Sequence, residues 1–223
     1  MPWNRACRIV IAGARMGVLA GALAAACSSD DGGTGANGPV LAKANPSGDA
    51  QAGRPGDDLA ADRRGIITDG GAPVAGTTVN WAVTAGGGTV APTSGPTDAA
   101  GIASTTATLG NTPGQMTIRA TAAGTTGGPV DFTALIAGAT VTVQAAANNT
   151  FQPSLAAVTA GGTVTFEWPA GALQHNVMPY IQTTQDGPVT HDVVFPAAGT
   201  FNFFCSVHGT ANSGMRGSII VVP

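Results

Sequence analysis

The sequence predicts an all-β protein built from two β-sandwich domains. Short apolar segments with strand-like alternation recur along the chain, and turn residues separate them: glycine contributes 33 of the 223 residues and proline another 15. No segment shows the periodicity of a long amphipathic helix. After an N-terminal leader, the remaining length divides into two domains of roughly 85 to 100 residues, an ordinary size for a sandwich.

Residues 1–26 predict a signal peptide. Three arginines precede an apolar run, Met16–Ala26, which is too short to span a bilayer as a helix. The run ends at Leu23-Ala24-Ala25-Ala26-Cys27, which resembles a bacterial lipobox, although the leucine stands one place further from the cysteine than usual. The resemblance implies export and lipid anchoring through Cys27 to a bacterial membrane, facing the periplasm or the cell surface. The alternative is an ordinary signal peptide with an incidental cysteine.

Residues 27–53 predict a lipidated Cys27 followed by a flexible linker. The stretch Asp30–Pro39 consists of aspartate, glycine and other small residues and lacks apolar side chains to bury. We expect this tether to lift the folded part of the chain off the membrane surface.

Residues 54–138 predict the first sandwich. In Thr77–Thr84, three apolar side chains alternate toward one face. Glycine-rich turns separate the further predicted strands, which are Ile102–Leu109, Met116–Thr121 and Val130–Ile136. Two pieces, Ala72–Trp81 and Thr97–Ala103, resemble bacterial Ig-like repeat domains of surface proteins, whereas the charged stretch Asp57–Arg64 fits the expected strand poorly. Because this domain has neither histidine nor cysteine, we expect it to act as a spacer; an adhesive module is the alternative.

Residues 139–223 predict the second sandwich and carry the residues with metal chemistry. Cys205, His208 and Met215 lie on one short segment, which the flanking residues predict to be a loop between two strands. His175, which follows another predicted strand, is the candidate for a further ligand. A thiolate, imidazoles and a weak thioether suit copper that cycles between Cu(I) and Cu(II).

Four pieces of this domain are similar, in order and spacing, to cupredoxins of the plastocyanin type: Gly161–Trp168, His175–Val177, Gly199–Phe201 and Cys205–His208. The resemblance covers Ala139–Pro223 and implies one blue copper ion with four ligands: His175, Cys205, His208 and, axially, Met215. It also implies that Asn176 ties the two ligand segments together by hydrogen bonds.

The axial position has two candidates. The segment between His208 and Met215 is longer than is usual in the family. Met178 is the alternative, but it lies three residues beyond His175, where an extended chain would carry it several ångströms from the copper. We therefore predict that Met215 is the axial ligand.

Cysteine usage supports a metal in the second sandwich. Of the three cysteines, Cys7 leaves with the signal peptide and Cys27 carries the lipid, so Cys205 has no partner for a disulfide. A lone exported thiol is open to oxidation unless something occupies it. A buried, inert cysteine is the alternative, and the histidine three residues later argues against it.

These features predict a lipid-anchored mononuclear blue-copper protein that carries single electrons in the cell envelope and exchanges them with redox partner proteins of unknown identity. A copper-delivery protein and a surface interaction module with a structural copper site are the alternatives. We do not expect an enzyme, because three histidines and one free thiol cannot build the additional centres of a multicopper oxidase, a copper nitrite reductase or a CuA protein.

Two further expectations follow from the sequence. All twelve acidic residues lie after the signal peptide, whereas three of the nine basic residues lie inside it, so the exported chain is acidic. It therefore lacks the basic face that nucleic-acid binding needs. His191 belongs to a strand-like run and is expected at the surface rather than at the metal.

Overall fold

The computed structural model describes residues 38–223, and all regular secondary structure in this range is β-strand. The strands form two sandwiches in chain order, so the all-β, two-sandwich prediction is confirmed. The predicted signal peptide, Cys27 and the first part of the linker lie outside the described residues. Within residues 38–223, no helix is long and apolar enough to cross a membrane.

The first sandwich consists of two sheets whose strands are β1 (Val40–Lys43), β2 (Gln51–Gly53), β3 (Arg63–Asp69), β4 (Ala72–Pro73), β5 (Thr78–Ala85), β6 (Gly88–Ala91), β7 (Ser94–Pro96), β8 (Ile102–Leu109), β9 (Gly114–Ala122) and β10 (Val130–Ile136). One sheet has the order β1-β3-β8-β6, with β4 beside β3, and the other has the order β2-β10-β9-β5-β7. The inner faces enclose a core that includes Trp81 and Phe132, whose ring centroids lie 5.5 Å apart.

The structure corrects the predicted linker at its C-terminal end. Strands β1 and β2 fall inside residues 27–53; β1 pairs antiparallel with β3, and β2 pairs parallel with β10. They are only 4 and 3 residues long, so neither shows an alternation that sequence analysis could detect. Strands distant in the chain supply their hydrogen-bond partners, and the local composition does not reveal this.

The second sandwich consists of eight strands: β11 (Gly138–Ala146), β12 (Thr150–Gln152), β13 (Leu155–Trp168), β14 (His175–Val177), β15 (Ile181–Gln185), β16 (Val189–Phe195), β17 (Gly199–Gly209) and β18 (Gly214–Val222). Six of them form one sheet in the order β12-β11-β13-β18-β17, with β16 beside β13, while β14 pairs with β15. Strand β13 changes partners at Gly161, whose φ is 82°. Its first part pairs with β18 and, at Val158, with Gly138 of β11, and its second part pairs with β11 and β16.

The two sandwiches pack directly on one another. Only Ala137 separates β10 from β11, and it forms a small buried apolar cluster with Ala157 and Val222. Strand β18 ends in this cluster and begins at Gly214; at about 3.3 Å per residue, its two ends lie roughly 25 Å apart. The beginning of β18 and the hairpin before it therefore lie far from the first sandwich.

Candidate metal centre

Three of the predicted ligands, His175, Cys205 and His208, come together near the beginning of β18. Their ligand atoms all lie within 4.8 Å of one another. The two histidine Nδ1 atoms are 3.0 Å apart, and Cys205 Sγ lies 3.9 Å from His175 Nδ1 and 3.6 Å from His208 Nδ1. The side chains of His175 and Cys205 are almost completely buried, at 1% and 0% exposure, whereas His208 is half-buried.

Strand β17 supplies two of the three side chains, and it runs further than predicted. The sequence predicts that the strand ends at Phe204 and a loop follows, but β17 continues to Gly209. Its pairing with β18 shifts register between Phe204 and Gly209. In a regular strand, residues three apart point to opposite faces; an irregularity of this kind lets Cys205 and His208 face the same point.

A tight turn after His208 brings the chain back along β18. Thr210 N donates to Ser213 O at 2.8 Å, and Gly209 pairs with Gly214. Gly214 has a φ of 75°, and a Cβ there would lie 2.5 Å from His208 O, so glycine is the residue that fits. Met215 follows directly and is buried, at 2% exposure, in the core of the second sandwich. Its role as the axial ligand stays a prediction.

The segment with His175 is fastened to β17 and to the core by backbone contacts. Met178 and Phe204 exchange two backbone hydrogen bonds, of 2.8 and 3.2 Å, which join the two ligand segments. The indole Nε1 of Trp168, a fully buried side chain, donates to the carbonyl oxygen of His175 at 3.0 Å. Both ligand segments are thus held by a hydrogen-bonded scaffold.

Asn176 lies between the same two segments and is buried, at 3% exposure. Its Nδ2 donates to Ser206 Oγ at 2.9 Å and to Gln182 O at 3.1 Å, and its Oδ1 accepts from Ser206 N at 2.8 Å. The side chain therefore links the residue after His175 to the residue after Cys205. Sequence analysis did not identify Ser206 as its partner.

The surroundings of His175 favour the neutral form of its ring. Burial and then the neighbouring His208 lower the pKa of His175, against the opposing effects of a hydrogen bond to the backbone carbonyl of Ala146 and of the Asp186 charge. Ala146 ends β11, and no sequence pattern pointed to it.

The expectation that His191 lies at the surface is corrected by the structure. His191 pairs with buried Phe166 across β16 and β13, so its side chain lies on the inner face of the strand and is half-buried. Its ring packs edge-on against Trp168, with centroids 5.6 Å apart, and its Nε2 is buried without a hydrogen-bond partner. His191 is not part of the cluster of His175, Cys205 and His208.

Comparison with known proteins gives structural neighbours only. No family model matches the chain, and no curated protein matches it. The D00-D0 domain of intimin is 19% identical, with a TM-score of 0.35, and the match covers 40% of this chain and 43% of that one. The reduced auracyanin of the photosynthetic bacterium Roseiflexus castenholzii is 21% identical, with a TM-score of 0.32, over 39% of this chain and 99% of that one.

A copper-containing nitrite reductase of Thermus scotoductus SA-01 is also similar, at 13% identity and a TM-score of 0.29, over 78% of this chain and 59% of that one. At such low identities and TM-scores these neighbours carry no argument about this chain, so its function has to be inferred from the residues of the site.

Proposed function

We propose that this chain is a lipid-anchored blue-copper protein that carries single electrons in the bacterial cell envelope. The observation that carries the proposal is the convergence of His175 Nδ1, His208 Nδ1 and Cys205 Sγ within 4.8 Å. Met215 is the proposed axial ligand, and Cys27 is the proposed site of lipidation.

The donor set fits copper. It combines one sulfur with two imidazole nitrogens, and a buried thioether, Met215, lies on the adjoining strand. Within residues 38–223, no carboxylate joins this cluster, so it lacks the oxygen ligands that magnesium and calcium prefer. Copper in such a site supplies a one-electron couple between Cu(I) and Cu(II).

The protein's own residues hold the ligands in place and exclude water. Asn176 and the backbone pair between Met178 and Phe204 join the two ligand segments and restrain their movement relative to one another. Cys205 is completely buried, which protects the thiol from solvent oxidants. A site that is held this firmly would change little between oxidation states, and rapid electron transfer requires such a small reorganisation.

His208 provides the route for the electron. It is half-buried, whereas the other two cluster residues are buried. Val207 and Leu173, each close in sequence to a cluster histidine, are 48% and 62% exposed. A redox partner protein that contacts these exposed apolar side chains would approach the end of the second sandwich that carries His208.

Burial also favours electron transfer over the alternative of copper delivery. A delivery protein passes its metal to a partner by exchanging ligands, which needs an accessible thiolate. Cys205 has no exposed surface. We therefore propose that the copper stays bound while the protein transfers electrons, and we assign no enzymatic reaction to the chain.

The test is a titration of the protein with Cu(II), followed by visible absorption. We expect an intense thiolate-to-copper charge-transfer band that saturates at one copper per chain. Cys205→Ser should abolish the band, while His191→Ala, which removes the one histidine outside the cluster, should retain it. A band that persists in Cys205→Ser would rule out the blue-copper site.

The axial assignment predicts a separate change in reduction potential. A weak axial thioether tunes the potential more than the affinity. Met215→Leu should keep the colour and raise the potential, and Met215→Gln should lower it. Met178→Leu is the control and should do neither. If protein-film voltammetry finds that only the Met178 variant shifts the potential, Met215 is not the axial ligand.

The anchor is tested by fractionation of cells. Wild-type protein should sediment with membranes and dissolve in detergent, because two or more acyl chains give stable anchoring. Cys27→Ser should release the protein or block its processing. The end of β18 near His175, Cys205 and His208 lies about 25 Å from its other end, which packs on the first sandwich, and a spacer role for the first sandwich fits this separation. Wild-type protein wholly in the soluble envelope fraction would contradict lipidation.

A further inference from the structure

The backbone immediately before His175 has a conformation that residues with side chains rarely adopt. Gln174 has a φ of 56°, in the left-handed region. Glycine adopts this region readily and asparagine or aspartate occasionally, but glutamine is not among the residues that favour it. Such a conformation persists only where the surrounding structure holds it.

The segment Gln185–Gly187 holds Gln174 in this conformation. Gln174 N donates to Asp186 Oδ1 at 2.7 Å. Gly187 N donates to Ala172 O at 2.9 Å, and Gln185 pairs with His175 across β14 and β15. Three successive residues therefore fasten the loop that leads into the ligand.

The backbone around His175 is thus held from two sides. Asp186 accepts a hydrogen bond from the backbone amide of Gln174, the residue before His175. Trp168 donates a hydrogen bond to the carbonyl oxygen of His175. Trp168 is fully buried, so its replacement would also repack the core. Asp186 is exposed, so its replacement removes one contact and leaves the core unchanged.

We propose that Asp186 is a positioning residue for His175. By accepting the Gln174 amide, the carboxylate keeps the backbone in the left-handed conformation and directs the His175 ring toward Cys205 and His208. Its importance for copper rests on the proposed function, whereas the positioning itself is a property of the metal-free protein. Sequence analysis did not identify Asp186, which lies eleven residues after His175.

Three variants separate the hydrogen bond from the charge. Asp186→Ala removes the acceptor and the charge, whereas Asp186→Asn removes the charge and keeps an Oδ1 acceptor. Asp192→Ala is the matched control, because Asp192 is an exposed carboxylate of the same sandwich that accepts from Thr165 Oγ1 at 2.7 Å on β16.

Two readouts are needed. In the metal-free protein, hydrogen exchange at the Gln174 amide should accelerate about fivefold in Asp186→Ala, the factor expected for one hydrogen bond. In the copper-loaded protein, Asp186→Ala should weaken affinity by about tenfold, as loss of outer contacts around metal ligands does, and should shift the charge-transfer band. Asp186→Asn and Asp192→Ala should resemble the wild type in both measurements.

A rescue variant makes the proposal specific. Adding Gln174→Gly to Asp186→Ala should restore copper affinity, because glycine takes the left-handed conformation without help. Unchanged exchange and affinity in Asp186→Ala would overturn the proposal, and so would an equal loss in Asp186→Asn, which would make charge the cause. If wild-type protein binds no copper, the proposed function fails, and amide exchange alone still decides whether Asp186 positions His175.

Discussion

One group of buried polar side chains in each sandwich shows how differently such burial can end. In the second, His175 and Asn176 are buried, and their polar atoms meet partners on both ligand segments. In the first, Arg63 is completely buried, and its guanidinium reaches only the carbonyl of Ala61, through Nη2; its Nε and Nη1 have no partner. Burial lowers the pKa of Arg63, against the charges of Asp49 and Asp62. The buried polar groups of His175 and Asn176 thus belong to a site, whereas the burial of Arg63 costs stability.

The largest expected effect is confined to the second sandwich. Copper binding should stabilise it by about 2.7 kcal/mol when free copper is a hundredfold above the dissociation constant. Native-state hydrogen exchange should show this as slower exchange in β13 and β18, with little change in β9 and β10. Equal protection of both sandwiches would mean that they open as one unit, and would contradict a stabilisation confined to the second sandwich.

The next effect concerns the first sandwich. Arg63→Met replaces a buried, incompletely bonded guanidinium with an apolar side chain of similar length, and should stabilise the protein by about 1–3 kcal/mol. Arg64→Met, at the half-buried neighbour, is the control and should change stability by less than about 0.5 kcal/mol. Urea unfolding of metal-free protein measures both. Destabilisation by Arg63→Met would show that the guanidinium contributes more than its contacts indicate.

A smaller effect, and one of opposite sign, is expected at Asn176, a buried polar side chain whose hydrogen bonds are satisfied. Asn176→Ala removes the acceptor of Ser206 N and should cost about 1 kcal/mol, together with at least about tenfold in copper affinity. Asn202→Ala is a matched control, since Asn202 is exposed and accepts from Ser218 Oγ at 2.7 Å. Isothermal titration with copper should separate the two variants. Equal affinities would show that Asn176 does not orient the ligands.

The smallest effect is a pH dependence in the first sandwich. Burial raises the pKa of the Asp49 carboxyl, but hydrogen bonds from Lys43, Thr133 and Ala50 outweigh it, so the net pKa lies below its ordinary value. The stability from Asp49 should therefore be full above the ordinary carboxyl pKa and be lost as pH falls through the lower folded value.

Asp49 and Lys43 form a partly exposed ion pair. For such a pair, we expect the free energy of unfolding to change by on the order of 0.2–1 kcal/mol. Thermal unfolding measured from pH 7 down to pH 3 should show it, and Asp49→Asn should flatten that part of the curve. An unchanged curve in Asp49→Asn would show that other carboxyls cause the acid sensitivity.

Sequence patterns predicted those strands in which more buried and more exposed residues alternate. The predicted strands Ile102–Leu109 and Val130–Ile136 coincide with β8 and β10. What sequence analysis missed depends on distant partners. The short β1 and β2 form only because β3 and β10 offer free edges, and Arg63 is buried because it is on the inward face of β3.

The site was predictable to the extent that its residue types are chemically distinctive. A cysteine and a histidine three residues apart, with no other cysteine in residues 38–223, are a pattern that indicates metal binding. The contacts that hold them were not predictable. Ser206 and Asp186 act through hydrogen bonds to the Asn176 side chain and to the Gln174 amide, and no residue type signals such partners.

The central claim is that Cys205 and two histidines, His175 and His208, form one copper site in the second sandwich. Copper K-edge X-ray absorption on protein loaded with one copper per chain tests it most directly. We expect one sulfur and two nitrogens in the first coordination shell, with the sulfur lost in Cys205→Ser. A first shell of nitrogen and oxygen alone in the wild type, unchanged in Cys205→Ser, would contradict the claim.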